Sequence, residues 1–174
     1  MKTLFLSLML LASSAAFAGN EGPQAAPVPP PNPTVAKASV HSFFTPQDSA
    51  KTTIVEVLRS GQVKLSLQYF DASRNKTSNM LRLSPELTRK IVALVAKVEA
   101  GKLVDPTPED PGCFDAPYTS FKAVKDNGQE IEIAANSACK HMLKQPRNGA
   151  DAELERILKS LLDLAWSAQT GIDL

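Results

Sequence analysis

Histidine and cysteine are nearly missing from this chain of 174 residues, which holds two of each: His41, His141, Cys113 and Cys139. Few nucleophile–base pairs or soft-metal sites can be built from so small a stock. The ordered motifs of common enzymes are missing too. There is no G-x-S-x-G elbow, no H-E-x-x-H helix, no Walker-type phosphate loop and no C-x-x-C-H haem attachment. Charge of one sign is also lacking. With 19 basic and 18 acidic side chains, the chain has no basic excess with which to hold nucleic acid or an anionic lipid surface. No apolar run beyond the first 18 residues approaches the roughly 20 needed to span a bilayer.

The start of the chain carries an address. Met1-Lys2 supplies one positive charge, Leu4 to Leu11 is apolar, and small residues follow up to Ala16-Phe17-Ala18. That order predicts a secretory signal peptide over residues 1–18, cleaved between Ala18 and Gly19. No cysteine stands at the expected mature N-terminus, so the expected product is exported and not lipidated, and lies in the periplasm or outside the cell. Cleavage removes Lys2 alone among the charges and leaves 18 bases against 18 acids. The rest is long enough for one domain.

Six of the fifteen residues from Gly19 to Pro33 are proline, which predicts an extended tether. A PxxP ligand is the sharper alternative. The tether, with a partly docked continuation, is expected to occupy 19–50. Val40 to Phe44 pairs as an edge strand or docks. Phe43 and Phe44 either pack on the domain, the reading we favour, or form an exposed partner patch.

A single α+β domain is expected over 51–170. Thr52–Leu58 is β-branched and strand-like. Arg59 to Gln62 turns the chain, and Val63, Leu65, Leu67 and Tyr69 then alternate with polar residues. Ser78–Leu83 adds a third strand with Leu81 and Leu83 inward. Ser84-Pro85-Glu86 is a helix start: a cap, a proline suited to the first turn and an acid at the positive end of the dipole. Leu87, Ile91, Leu94, Val95 and Val98 form one stripe, with Gly101 as the stop. Asp126-Asn127-Gly128 predicts a type I′ turn between strands on either side. A last helix over Asp151–Ala168 presents Leu154, Ile157, Leu158, Leu161, Leu162 and Ala165. The sum is an antiparallel sheet of about five strands, covered on one face by two amphipathic helices.

Folding back at Asn127 brings Cys113, 14 residues before it, and Cys139, 12 after it, to one end of the hairpin. In an exported chain this predicts a disulfide, stabilising by about 3 kcal/mol in the chain-entropy model. The competing reading takes Cys139, His141 and Met142 as soft ligands for a copper ion. Three ligands within four residues do not converge on a strand, and a disulfide consumes the thiol, so no metal or other cofactor is expected. Asp105, Glu109, Asp110 and Asp115 lack the order of a calcium loop and read as solvated. Asn75-Lys76-Thr77 matches a glycosylation acceptor, which a bacterial setting leaves unused.

The order of hairpin, Ser84-Pro85-Glu86-Leu87 helix, Asp115-Ala116-Pro117 before a second hairpin, and leucine-rich helix resembles small exported bacterial domains of unknown function. The resemblance covers residues 52–165. It implies this element order and an envelope setting, and it brings no catalytic residues. The expected function is a non-enzymatic envelope or secreted module that binds a protein or envelope component through its sheet or hairpin loops. The alternatives are a hydrolase with a dispersed site and a metal-handling protein using Cys139, His141 and Met142.

Overall fold

The computed structural model describes residues 33–42, 50–101, 103, 117–137 and 144–170. Six strands form one antiparallel sheet: β1 (Thr34–His41), β2 (Thr52–Leu58), β3 (Gln62–Gln68), β4 (Lys76–Arg82), β5 (Tyr118–Val124) and β6 (Glu130–Ser137). Two helices, α1 (Pro85–Lys97) and α2 (Gly149–Thr170), pack on it. The strand order is β4-β3-β2-β1-β5-β6. The sixth strand is β1, which the sequence places in the partly docked segment before 51. It lies in the middle of the sheet, paired to β2 on one side and β5 on the other, not at an edge.

Alternation along the strands decides which side chains face the helices. Ala36 and Ala38 of β1, Val55 and Val57 of β2, Val63 and Leu65 of β3, and Phe121 and Ala123 of β5 are all buried. They join Ile91, Leu94 and Val95 of α1 and Leu154, Leu158, Leu161, Leu162 and Ala165 of α2 in one core. Phe121 is opposed by Ala38 on one neighbouring strand and Ala134 on the other. Two alanines leave the room that one buried phenylalanine fills, so the centre of the layer stays close-packed.

The helix ends obey capping chemistry. Ser84 Oγ accepts from the Leu87 amide at 3.2 Å, with Pro85 in the first turn. The helix stops at Lys97, earlier than Gly101. There the Lys125 ammonium, arriving from the β5–β6 hairpin, donates to the carbonyls of Val95, Ala96 and Val98. A positive charge on orphan carbonyls at the negative end of the dipole does the work expected of a glycine. α2 starts at Gly149, before Asp151, because the Asn148 side chain accepts from the amides of Ala150 and Asp151, both at 2.9 Å.

Both tight hairpins turn in the same way. Gly61 N–H donates to Leu58 C=O, and Gly128 N–H donates to Lys125 C=O. Each glycine has φ +83°. In the second hairpin the central pair is therefore Asp126 and Asn127, and Gly128 follows it in the left-handed region. This is the three-residue loop with a glycine bulge, not the expected type I′ turn centred on Asn-Gly. Arg59 in one turn forms an ion pair with Asp126 in the other.

Candidate functional site on the open sheet face

The side chains that alternate away from the helices come from all six strands and fall into three rows across the sheet. The register sets the first row as Lys64, Glu56, Lys37, Lys122 and Glu132. The second is Thr77, Ser66, Ile54, Ser39 and Ser120. The third is Gln68, Thr52, His41 and Tyr118. Rows two residues apart are separated by about 7 Å along the strands. Long charged side chains form one bank, His41, Tyr118 and Gln68 form the other, and short serines lie between. The result is a concavity of about 410 Å³ lined by Lys37, Ser39, His41, Ile54, Ser120 and Lys122, among others.

The charged bank is locked. Lys37 Nζ lies 3.2 Å from Glu56 and 2.8 Å from Glu130, and Lys122 Nζ lies 3.0 Å from Glu130. Burial works against the Lys37 ammonium. The hydrogen bonds to Glu130 and Glu56 outweigh that penalty, and its pKa stands above the ordinary lysine value. The hydrogen bonds from Lys37 and Lys122 hold the Glu130 carboxyl below the usual carboxylate range. Three strands are thus tied by two lysines around one carboxylate.

Glu132 accepts from Tyr118 Oη at 2.9 Å and from Ser120 Oγ at 2.7 Å, both on the same oxygen. Partial burial and the bond to this carboxylate push the Tyr118 phenol up to about 12. On the same bank His41 Nδ1 lies 3.1 Å from Thr52 Oγ1, and its Nε2 lies 3.3 Å from Ser39 Oγ. Burial lowers the His41 pKa, and the charges of Lys122 and Lys51 lower it further. The imidazole is therefore neutral at pH 7. Lys51 also stands over the ring of Phe70, which is 54% exposed at this end of the sheet.

A hydroxyl, an imidazole and a second hydroxyl in sequence have the order of a nucleophile, a base and an orienting group. Their strand does not supply the rest of such a site. β1 is paired along both sides over Ala36–His41, so its amides are committed to the ladders and none is left to receive an oxyanion. What the face does present is a fixed set of side-chain donors and acceptors.

Of the residues singled out from sequence, only His41 is placed in this groove. Ala18, Gly19, Phe43, Phe44, Cys113, Cys139, His141 and Met142 lie outside the described residues, as do Asp105, Glu109, Asp110 and Asp115. Among the described residues there is no group of three metal-ligating side chains, and no helix is long and apolar enough to cross a membrane. Lys37, Ser39, Ser120, Lys122 and Glu132 were not singled out as site residues. The signal for them was the period of two in Ala36-Lys37-Ala38-Ser39-Val40-His41 and in Tyr118 to Lys122, which marks the polar side of each strand. Compared with protein-family models, curated proteins and solved structures, the chain has no significant match among any of the three.

Proposed function

We propose that this chain is an exported, non-enzymatic binding module whose recognition surface is the open face of its sheet. The observation that carries the reading is the groove itself. It is a concavity of about 410 Å³ whose polar groups are held by one another before any ligand arrives. Preorganised donors and acceptors lower the entropy lost on binding. The charged start, the apolar run and Ala16-Phe17-Ala18 support export to a bacterial envelope, where the resemblance to small exported domains also points.

Lysine-directed crosslinking in the native envelope fraction tests the proposal, because the two faces carry different lysines. Lys37, Lys64 and Lys122 belong to the open face. Lys90 and Lys159 lie on the helices. Crosslinked peptides from the first set are the expected outcome. Crosslinks confined to Lys90 and Lys159 would move the recognition surface to the helical side and end this reading.

A second reading, a hydrolase, is favoured by one contact, Ser39 Oγ at 3.3 Å from His41 Nε2. It requires turnover of an activated ester that Ser39→Ala removes and Ser66→Ala leaves intact. Equal turnover by both variants dismisses it.

A further inference from the structure

We infer that the groove takes a neutral, hydroxyl-rich chain, a glycan with no net charge, lying across the strands; this rests on the open face being the recognition surface. Charge is the first argument. Lys37, Lys64 and Lys122 face the groove side together with Glu56, Glu130 and Glu132. An anionic ligand meets three carboxylates, and a cationic one meets three ammonium groups. Either must break the ion pairs of Lys37 with Glu56 and Glu130, or of Lys122 with Glu130. A neutral ligand leaves them in place, so it avoids the cost of separating partly desolvated charges.

Hydrogen-bond type is the second argument. The floor belongs to strands whose backbone groups are spent within the sheet, so it presents side-chain atoms only. A peptide laid on it finds no ladder to extend; strand addition takes place at a sheet edge. A ligand whose own groups both donate and accept is the better match. Ser39 and Ser66 each carry a hydroxyl that does both, that of Ser66 being 3.0 Å from Thr77 Oγ1 on β4, and Gln68 adds an amide. Glu132 is already aimed by Tyr118 and Ser120. From β3 to β5 the floor, Ser66-Ile54-Ser39-Ser120, crosses four strands and so extends for about 15 Å at the usual strand spacing. That length suits a short run of sugar rings. Ile54 in the middle of the floor offers an apolar spot for a ring's C–H face.

The probe is a panel of neutral oligosaccharides (glucans, galactans and chito-oligosaccharides) printed beside uronic-acid and sulfated chains and read with the full chain. Binding is expected on neutral members only. It should change less than about twofold between roughly 0.05 and 0.5 M salt, since no net charge is screened. Ser39→Trp fills the floor and should weaken binding by about tenfold or more. Ser66→Trp does the same from β3 and serves if the first variant does not fold. Lys90→Ala, on α1, should leave affinity unchanged. A silent panel, binding limited to acidic chains and lost with salt, or binding that survives both tryptophan variants overturns the inference. Groove-lysine crosslinks to a protein together with a silent panel defeat the glycan alone. Crosslinks confined to the helices defeat the binding face as well.

Discussion

Replacing Arg147 by methionine isolates a buried charge and tests how the groove is held from behind. Asp151, in the first turn of α2, is fully buried, and its Oδ2 accepts from Arg147 Nε at 2.9 Å. Its Oδ1 is buried without a hydrogen-bond partner. Arg147 also donates to the carbonyls of Gly101 and Glu132, at 3.2 and 3.3 Å. It therefore ties the start of α2 to the backbone of β6 at a groove residue. Arg147→Met keeps most of the apolar stem and removes all of these bonds. Losing one member of a buried pair costs about 3–5 kcal/mol, most of it for the charge left behind. With a urea m-value near 2 kcal/mol/M, that is a fall of roughly 2 M in the unfolding midpoint. Equilibrium unfolding followed by far-UV circular dichroism reads it directly. Adding Asp151→Leu should recover most of the loss, because an apolar pair carries no orphaned charge. A midpoint that moves by less than about 0.5 M in Arg147→Met refutes the reasoning. So does a double variant as unstable as the single one.

Three further outcomes are expected. The Tyr118 phenol, raised to about 12, adds stability that is intact below pH 10 and is lost as pH rises through 12; an ultraviolet titration should show a late phenol that Tyr118→Phe deletes, and a titration complete near 10 contradicts the Glu132 bond. His41 has a lowered pKa, so the unfolded chain takes up the proton first. Stability then falls as pH drops below about 6.5 and levels off beneath the folded pKa. His41→Gln should flatten that window, which lies above the carboxylate region where Glu130 acts, and an unchanged profile counts against the burial described here. Gly61→Ala should cost about 1–2 kcal/mol for left-handed backbone, and more because the new Cβ meets Thr88 Oγ1 at 2.7 Å; in a Thr88→Ala background only the backbone part should remain, and equal losses in both backgrounds would argue against the contact.

Sequence patterning reached most of the fold through strong local signals. β-Branched Thr52–Leu58, the capped Ser84-Pro85 start and the leucine stripe of α2 each declare an element without help from elsewhere. β1 was harder to read. Between Val35 and Val40, its core-packed side chains are the small Ala36 and Ala38, which give a weak strand signal, and prolines precede it up to Pro33. Its burial comes from large neighbours such as Phe121, which the register supplies and the segment does not. The groove was less legible still. Its residues are spread over five strands, and each is an ordinary strand position until the strand order sets them side by side. The Arg147–Asp151 pair looked like polar residues around a helix start, because only packing distinguishes a buried carboxylate from a wet one.

The central place of β1 has a kinetic consequence. Without it the sheet is two fragments, β2-β3-β4 and β5-β6, which no other strand joins. The hairpins close locally, but joining β1 to β5 brings His41 to Tyr118 across 76 intervening residues. Such non-local closure is entropically slow, and antiparallel topologies of this kind fold in milliseconds to seconds. Until β5 docks, β1 is the bare margin of a half-built sheet, open to another chain. Lys37 at mid-strand, beside Glu56 of β2 but not yet Glu130 of β6, puts a charged side chain on that raw edge, which discourages intermolecular pairing. The side chain that clasps Glu130 in the finished sheet is thus also a charge on the β1 edge whenever the β5–β6 hairpin is away from it.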